Sequence, residues 1–239
     1  MINRRGLFAG GLASVVAPLL GGCDRDGVPK FVWQQTHFPK LTVAVETSDG
    51  VRSSNSVLMI RWDKAGRGFE YFGEAVAVPL PKGQYLFATL QAKWSEDWPA
   101  YLHESVDLGD PSLKGEQYFD RISVDRRVWP LKRRRVTALQ DSDNYPLFVR
   151  FKSLSDPTSV EIVDPDQLDR AFGKGCKLRN FTVQMTGGPR TYKIDRVLPW
   201  LNFVMKERAT LIPNPPLLLG EGRAEQHLGL GLLKTYRED

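Results

Sequence analysis

Cysteine is nearly missing from this chain: its 239 residues hold two, Cys23 and Cys176. Two cysteines build no disulfide framework, so the fold has to rest on an ordinary apolar core. Histidine is almost as scarce. His37, His103 and His227 lie far apart, and none belongs to an H-x-x-x-H pair. A zinc site therefore has no local support, and surface or helix-face positions account for all three. A G-x-S-x-G elbow, a Walker loop and a dinucleotide fingerprint are also absent. Gly66-Arg67-Gly68 has no third glycine, and Gly229-Leu230-Gly231 follows no strand pattern. Motifs therefore give no ground for a serine hydrolase, an NTPase or a dehydrogenase.

Long apolar runs are missing after the first 22 residues. Leu211 to Leu219 is the longest candidate, and Pro213, Pro215 and Pro216 interrupt it. A membrane span needs about 20 apolar residues. Charge of one sign is modest too. The formal net charge is +5, and it falls to +3 if Arg4 and Arg5 are removed with a signal peptide. That excess is no nucleic-acid footprint, and no nucleic-acid partner is expected. It suits a protein beside anionic lipid heads. The run Lys132-Arg133-Arg134-Arg135 fits a solvated strand end or a contact with such lipids.

What is present begins at the first residue. Arg4 and Arg5 precede a small and apolar run from Gly6 to Leu20, which ends in Leu20-Gly21-Gly22-Cys23. A basic start, a short apolar middle and small residues before a cut site are the parts of a secretory signal. Leu-Gly-Gly-Cys resembles the bacterial lipobox, which implies that the Cys23 thiol carries a lipid and becomes the mature N-terminus. Arg4-Arg5-Gly6-Leu7-Phe8 resembles a twin-arginine export signal, although Asn3 stands where Ser or Thr is usual. Two arginines serve the Sec route equally well, so both routes stand. Composition disfavours a core helix here: glycines at 6, 10, 11, 21 and 22 cost roughly 1 kcal/mol each relative to alanine. With Cys23 lipidated, Cys176 has no partner within the chain. The expected address is the cell envelope, anchored by lipid and facing the periplasm.

The remaining order follows from composition and period. Residues 1–22 read as the signal and 23–40 as a lipid-anchored tether, with Trp33 and Phe38 apolar enough to pack onto the domain. Residues 41–210 read as one α+β domain, with a split near 110–145 as the alternative. Residues 211–239 form a Pro/Gly-rich tail expected to lie over the surface. Within the domain, Leu41, Val43 and Val45 alternate with Thr42, Ala44 and Glu46, the period of a strand. Asp49-Gly50 is a two-residue turn signal that calls for positive φ at both positions. Val57 to Trp62 is apolar on both faces and returns the chain. A second hairpin runs from Glu74 to Gln91 through Pro81-Lys82-Gly83. Tyr118–Val124 and Arg126–Trp129 read as strand-like. Further strands contain Leu147, Val149 and Phe151, then Val160 and Ile162, then Leu178 to Met185, which Gly187-Gly188-Pro189 breaks.

Short helices are predicted near 95–104, 165–172 and 199–207. For the second, Asp164 is a good N-cap, Pro165 fits the first helical position and Gln167 completes a capping box. Capping also explains Asp164 and Asp166 better than a calcium loop, whose spacing Asp164, Asp166 and Asp169 do not follow. The fold class is therefore α+β, a mainly antiparallel sheet of hairpins with a few short helices.

Asp156-Pro157-Thr158-Ser159-Val160, Val163-Asp164-Pro165, Ala171-Phe172-Gly173 and Leu198-Pro199-Trp200-Leu201 together resemble a family of uncharacterised bacterial proteins. Leu41–Leu90 is similar to that family's N-terminal part. The resemblance implies no activity and carries over no catalytic residue.

Two functions fit. The first is a non-enzymatic envelope lipoprotein that binds a partner protein or a glycan, with no cofactor and no metal. The second is an exported glycan hydrolase using Glu96 or Asp97 beside Trp94, Trp98 and Tyr101. Aromatic faces stack on sugar rings, and paired carboxylates cleave glycosidic bonds. The competing reading of these aromatics is a core-facing helix stripe. Cys176, beside Lys177, is read as a buried structural thiol in preference to a nucleophile.

Overall fold

The structure is a computed structural model. It describes residues 33–63, 68–92, 97–106, 108–110, 112–113, 115–131, 145–206, 211 and 228–235. The signal residues Arg4, Arg5 and Cys23, the basic run at 132–135, and Trp94, Glu96 and His227 lie outside them.

Among the described residues, ten strands form two antiparallel sheets. The chain opens with β1, Trp33–Thr47, a strand of 15 residues. It turns into β2, Gly50–Val57, and continues as β3, Met59–Asp63. Lys40 pairs with Val57 and His37 with Ile60, while the Leu58 N–H donates to the Pro39 carbonyl at 2.9 Å. β2 and β3 thus keep one register along the same edge of β1. The strand takes in Trp33 to Lys40, which composition assigns to the tether.

The hairpin turn sits one residue earlier than the Asp49-Gly50 signal suggests. Thr47 pairs with Gly50, so Ser48 and Asp49 form the loop. Gly50 alone takes the positive φ, at +106°. Placing the left-handed step on glycine spares both L-residues the steric cost.

β4, Phe69–Phe72, extends the sheet beyond β3. On the other edge of β1 lies β10, Lys177–Thr186, followed by β7, Val128–Pro130. This is the six-stranded sheet. The four-stranded sheet has the order β5-β6-β8-β9. Its strands are β5, Val76–Pro79; β6, Tyr85–Ala92; β8, Pro146–Phe151; and β9, Val160–Val163. Pro81-Lys82-Gly83 does turn the β5–β6 hairpin, with φ of 62° at Lys82 and 71° at Gly83.

Leu41, Val43, Val45, Phe181 and Val183 from the larger sheet meet Val76, Val78, Leu86, Leu90 and Phe148 from the smaller one. The opposite face of the smaller sheet, with Phe87, Leu147, Val149 and Phe151, is covered by a helical layer. That layer holds α3, Ile194–Val197, α4, Leu201–Lys206, and Leu232. β6 is buried from Leu86 to Ala92 because it has neighbours on both faces. Where β1 and β3 run past the smaller sheet, the 3-10 stretch Trp98–Ser105 and helix α1, Gly115–Val124, supply the cover. Leu102 and Ile122 join the core there.

Three further expectations change. Tyr118–Val124, read as strand-like, lies in α1. Ile122 is buried while Gln117, Asp120, Arg121 and Val124 are exposed, a helical division of faces. Asp164 caps the turn Pro165–Gln167 by accepting from the Asp166 N–H at 3.0 Å, but Gln167 makes no reciprocal bond, so no capping box forms. The chain then enters α2, Leu168–Phe172, which ends at Gly173 with φ of 98°. Third, the described end of the tail does not lie over the surface. Leu232 and Leu233 are fully buried. Ala75 N–H donates to the Leu233 carbonyl at 2.8 Å and Thr235 N–H to the Gly73 carbonyl at 3.0 Å. The tail extends the β5 edge, where open N–H and C=O groups need partners.

Candidate functional site

The outer face of the six-stranded sheet is where strand alternation leaves side chains without cover. Residues 41, 43 and 45 of β1 point into the core and residues 38, 40, 42, 44 and 46 point out. Cross-strand pairing then builds rows. Asn55, Thr42 and Thr182 share one row; Ser53, Ala44 and Asn180 share the next. Apart from Ala44, which is buried, these are short hydroxyl and amide groups on one sheet face. No hydrogen bond within the protein engages the side chains of Thr42, Asn55, Asn180 or Thr182 among the described residues. Their donors and acceptors face solvent.

At one end the face rises into an aromatic cleft of about 560 Å³, lined by Phe38, Gly187, Gly188, Pro189, Arg190 and Tyr192. The Arg190 guanidinium stands 5.3 Å from the ring centres of both Phe72 and Tyr192. Phe72 carries a second guanidinium, that of Arg61, at 5.4 Å. Arg61 faces Glu70 at 4.0 Å. Arg190 has no carboxylate within ion-pair distance among the described residues. Stacking of this kind holds the guanidinium plane while leaving its N–H edge available.

The loop that carries Arg190 is pinned on both sides of it. Thr191 N–H donates to the Val57 carbonyl at 3.1 Å, and Val57 N–H donates to Thr191 Oγ1 at 2.8 Å. Gly188, at φ of 81°, lies so close to Phe38 that an added Cβ would stand 3.2 Å from the ring. Tyr192 remains 45% exposed. Guanidinium, rings and polar rows therefore form one preorganised surface.

Among the described residues, the aromatic group singled out from the sequence is divided between the core and the surface. Trp98 is 3% exposed and lies over Phe181, ring centres 6.1 Å apart. It belongs to the core, which corrects its assignment as a ligand contact. Tyr101 is exposed and meets Phe69 edge-on at 6.2 Å. Asp97 is exposed. Trp94 and Glu96, the other members of that group, fall outside the described residues.

A second polar cluster lies behind the smaller sheet. Glu74 is 2% exposed, and its carboxylate accepts from the Lys193 N–H at 2.7 and 2.8 Å and from the Ile194 N–H at 3.0 Å. Lys234 Nζ donates to Asp195 Oδ2 at 2.6 Å and to Asn202 Oδ1 at 3.0 Å. Burial pushes the Glu74 carboxyl above its ordinary range, against the lowering effect of the backbone donors. These bonds run to structural partners and join the start of β5, α3 and the C-terminal segment, while Asp195 Oδ1 is buried without a hydrogen bond among the described residues.

Cys176 is 4% exposed, with Sγ 3.8 Å from the Phe172 carbonyl. Burial, then Asp169 and Asp49, pushes its thiol up, away from the thiolate a nucleophile needs. His37 is buried beside Phe119, ring centres 5.9 Å apart. Among the described residues no three His, Cys, Asp or Glu side chains are grouped to hold a metal ion.

Arg190, Tyr192, Phe72 and the polar rows escaped the sequence reading. The available signal was weak: a Gly-Gly-Pro break just before Arg190-Thr191-Tyr192, and polar residues alternating with the apolar ones in β1 and β10. Pairing across 148 positions, Phe38 with Thr186, brings these signals together. No protein-family model, no curated protein and no solved structure matches the chain.

Proposed function

We propose that this protein is an exported lipoprotein, held at the cell envelope by a lipid on Cys23, whose sheet domain binds an envelope component without transforming it. The observation that carries the anchoring is Leu20-Gly21-Gly22-Cys23 at the end of a short apolar run headed by Arg4-Arg5. An outer sheet face with hydrogen-bonding groups left unengaged by the protein supports the binding part of this reading. Rigid sheets hold such groups with more precision than loops do.

Membrane fractionation with intact-mass analysis tests the anchor. The wild type is expected in the membrane fraction, cut before Cys23 and heavier by its lipid. Cys23→Ala is expected to be soluble. A soluble wild type that retains Met1 would overturn the proposal.

A further inference from the structure

The outer face and its aromatic end differ in chemistry, and the difference points to a ligand class. The aromatic end offers one stacked guanidinium with an unused N–H edge. A planar fork of this kind grips a carboxylate through two parallel hydrogen bonds. Beside it the Tyr192 and Phe38 rings line the cleft. The C–H face of a pyranose lies flat on such a ring, while its hydroxyls project sideways. Further along β1, the row of Asn55, Thr42 and Thr182 presents donors and acceptors together. Phe38 and Thr42 are four residues apart, a distance of roughly 13 Å along a strand. Lys40 lies between them on the same face.

We infer that this surface is a binding site for an acidic oligosaccharide, with Arg190 on the carboxylate, Tyr192 and Phe38 under the sugar ring, and Thr42, Asn55 and Thr182 on the hydroxyls of the following units. The inference rests on the binding-domain reading and names its ligand class. An acidic peptide fits the surface less well. The polar rows contain no pocket for alternate apolar side chains, and an extended peptide gains its backbone hydrogen bonds at a sheet edge, not on a sheet face.

Calorimetric titration of the full chain in a polyoxyethylene detergent provides the test. The probes are trigalacturonate, neutral maltotriose and triglutamate. Trigalacturonate is expected to bind saturably, and the other two at least tenfold more weakly. R190Q is expected to lose about tenfold or more, the usual loss for a charge-assisted hydrogen bond. R190K, which keeps the charge without the fork, should recover only part of it. T42V and N55A are each expected to lose about threefold at an unchanged unfolding midpoint, so that a folding defect is not mistaken for lost contact. Absence of trigalacturonate binding would overturn the inference. So would equal binding by R190Q, by maltotriose or by triglutamate. None of those outcomes touches the lipid anchor, which fractionation tests separately.

Discussion

Among the described residues, the four-stranded sheet has neighbours on both faces and the six-stranded sheet on one. In β6 every residue from Leu86 to Ala92 is buried, and the strand's alternation is lost from its sequence. In β1 the alternation survives, with Leu41, Val43 and Val45 inside and Thr42 and Glu46 outside. The contrast separates two demands. A doubly covered strand is selected by packing alone, so its residues say little about ligands. A half-covered strand has one face that the core does not constrain. On that face residue choice is open to function, and there the polar rows and Arg190 stand.

The largest effect should come from the doubly covered sheet. Phe87→Ala removes a fully buried ring from between β6 and the helical layer, at a cost of about 3–5 kcal/mol. Leu41→Ala, on the covered face of β1, is expected to cost about 2–5 kcal/mol. Both are read from denaturant midpoints. If Phe87→Ala cost less than 1 kcal/mol, the helical layer would not be part of the cooperative unit.

Glu74→Ala comes next. It leaves the buried N–H groups of Lys193 and Ile194 without their acceptor, at a cost on the order of 2–3 kcal/mol. Its titration has a definite sign. Burial raises the folded-state pKa above the ordinary 4.5, so folding favours the protonated carboxyl. That contribution is fully present below about pH 4.5 and is lost as pH rises through the folded-state pKa. Glu74→Gln should therefore flatten the stability curve over that window. A slope unchanged by this substitution would assign the pH dependence to another group.

The smallest effect belongs to the open face. Thr42→Val keeps a β-branched side chain in the same strand and should shift stability by no more than about 0.5 kcal/mol. A loss as large as that of Leu41→Ala would show that the outer face is covered after all, and the comparison between the two sheets would fail.

What the sequence disclosed follows the same division. The β1–β2 hairpin, the β5–β6 turn at Pro81-Lys82-Gly83 and the Asp164 cap are local, and their signals lie within a few residues. Helix α1 reads as strand-like because Tyr118, Phe119 and Ile122 are aromatic or β-branched, types enriched in strands, and here tertiary packing decides. The tail reads as a surface segment because Pro213, Pro215 and Pro216 dominate its composition, while Leu232 and Leu233 are buried in a cluster with residues as distant as Ala75 and Phe87. Arg190 was missed for a related reason. Its meaning depends on Phe72 and Phe38, which the pairings of β4 with β3, and of β1 with β3 and β10, bring beside it.

The long first strand also sets a clock. β1 acquires β2 and β3 as soon as the hairpin closes, but its other edge waits for β10. Roughly 130 residues separate the end of β1 from the start of β10. At synthesis rates of about 5–20 residues per second, that interval is on the order of ten seconds. During it the β1 edge, with Leu41, Val43 and Val45, has no strand beside it. An open apolar edge is a template for pairing with other chains. If the chain folds before export, as on the twin-arginine route, it therefore has to be kept apart from its copies until Thr186 has emerged.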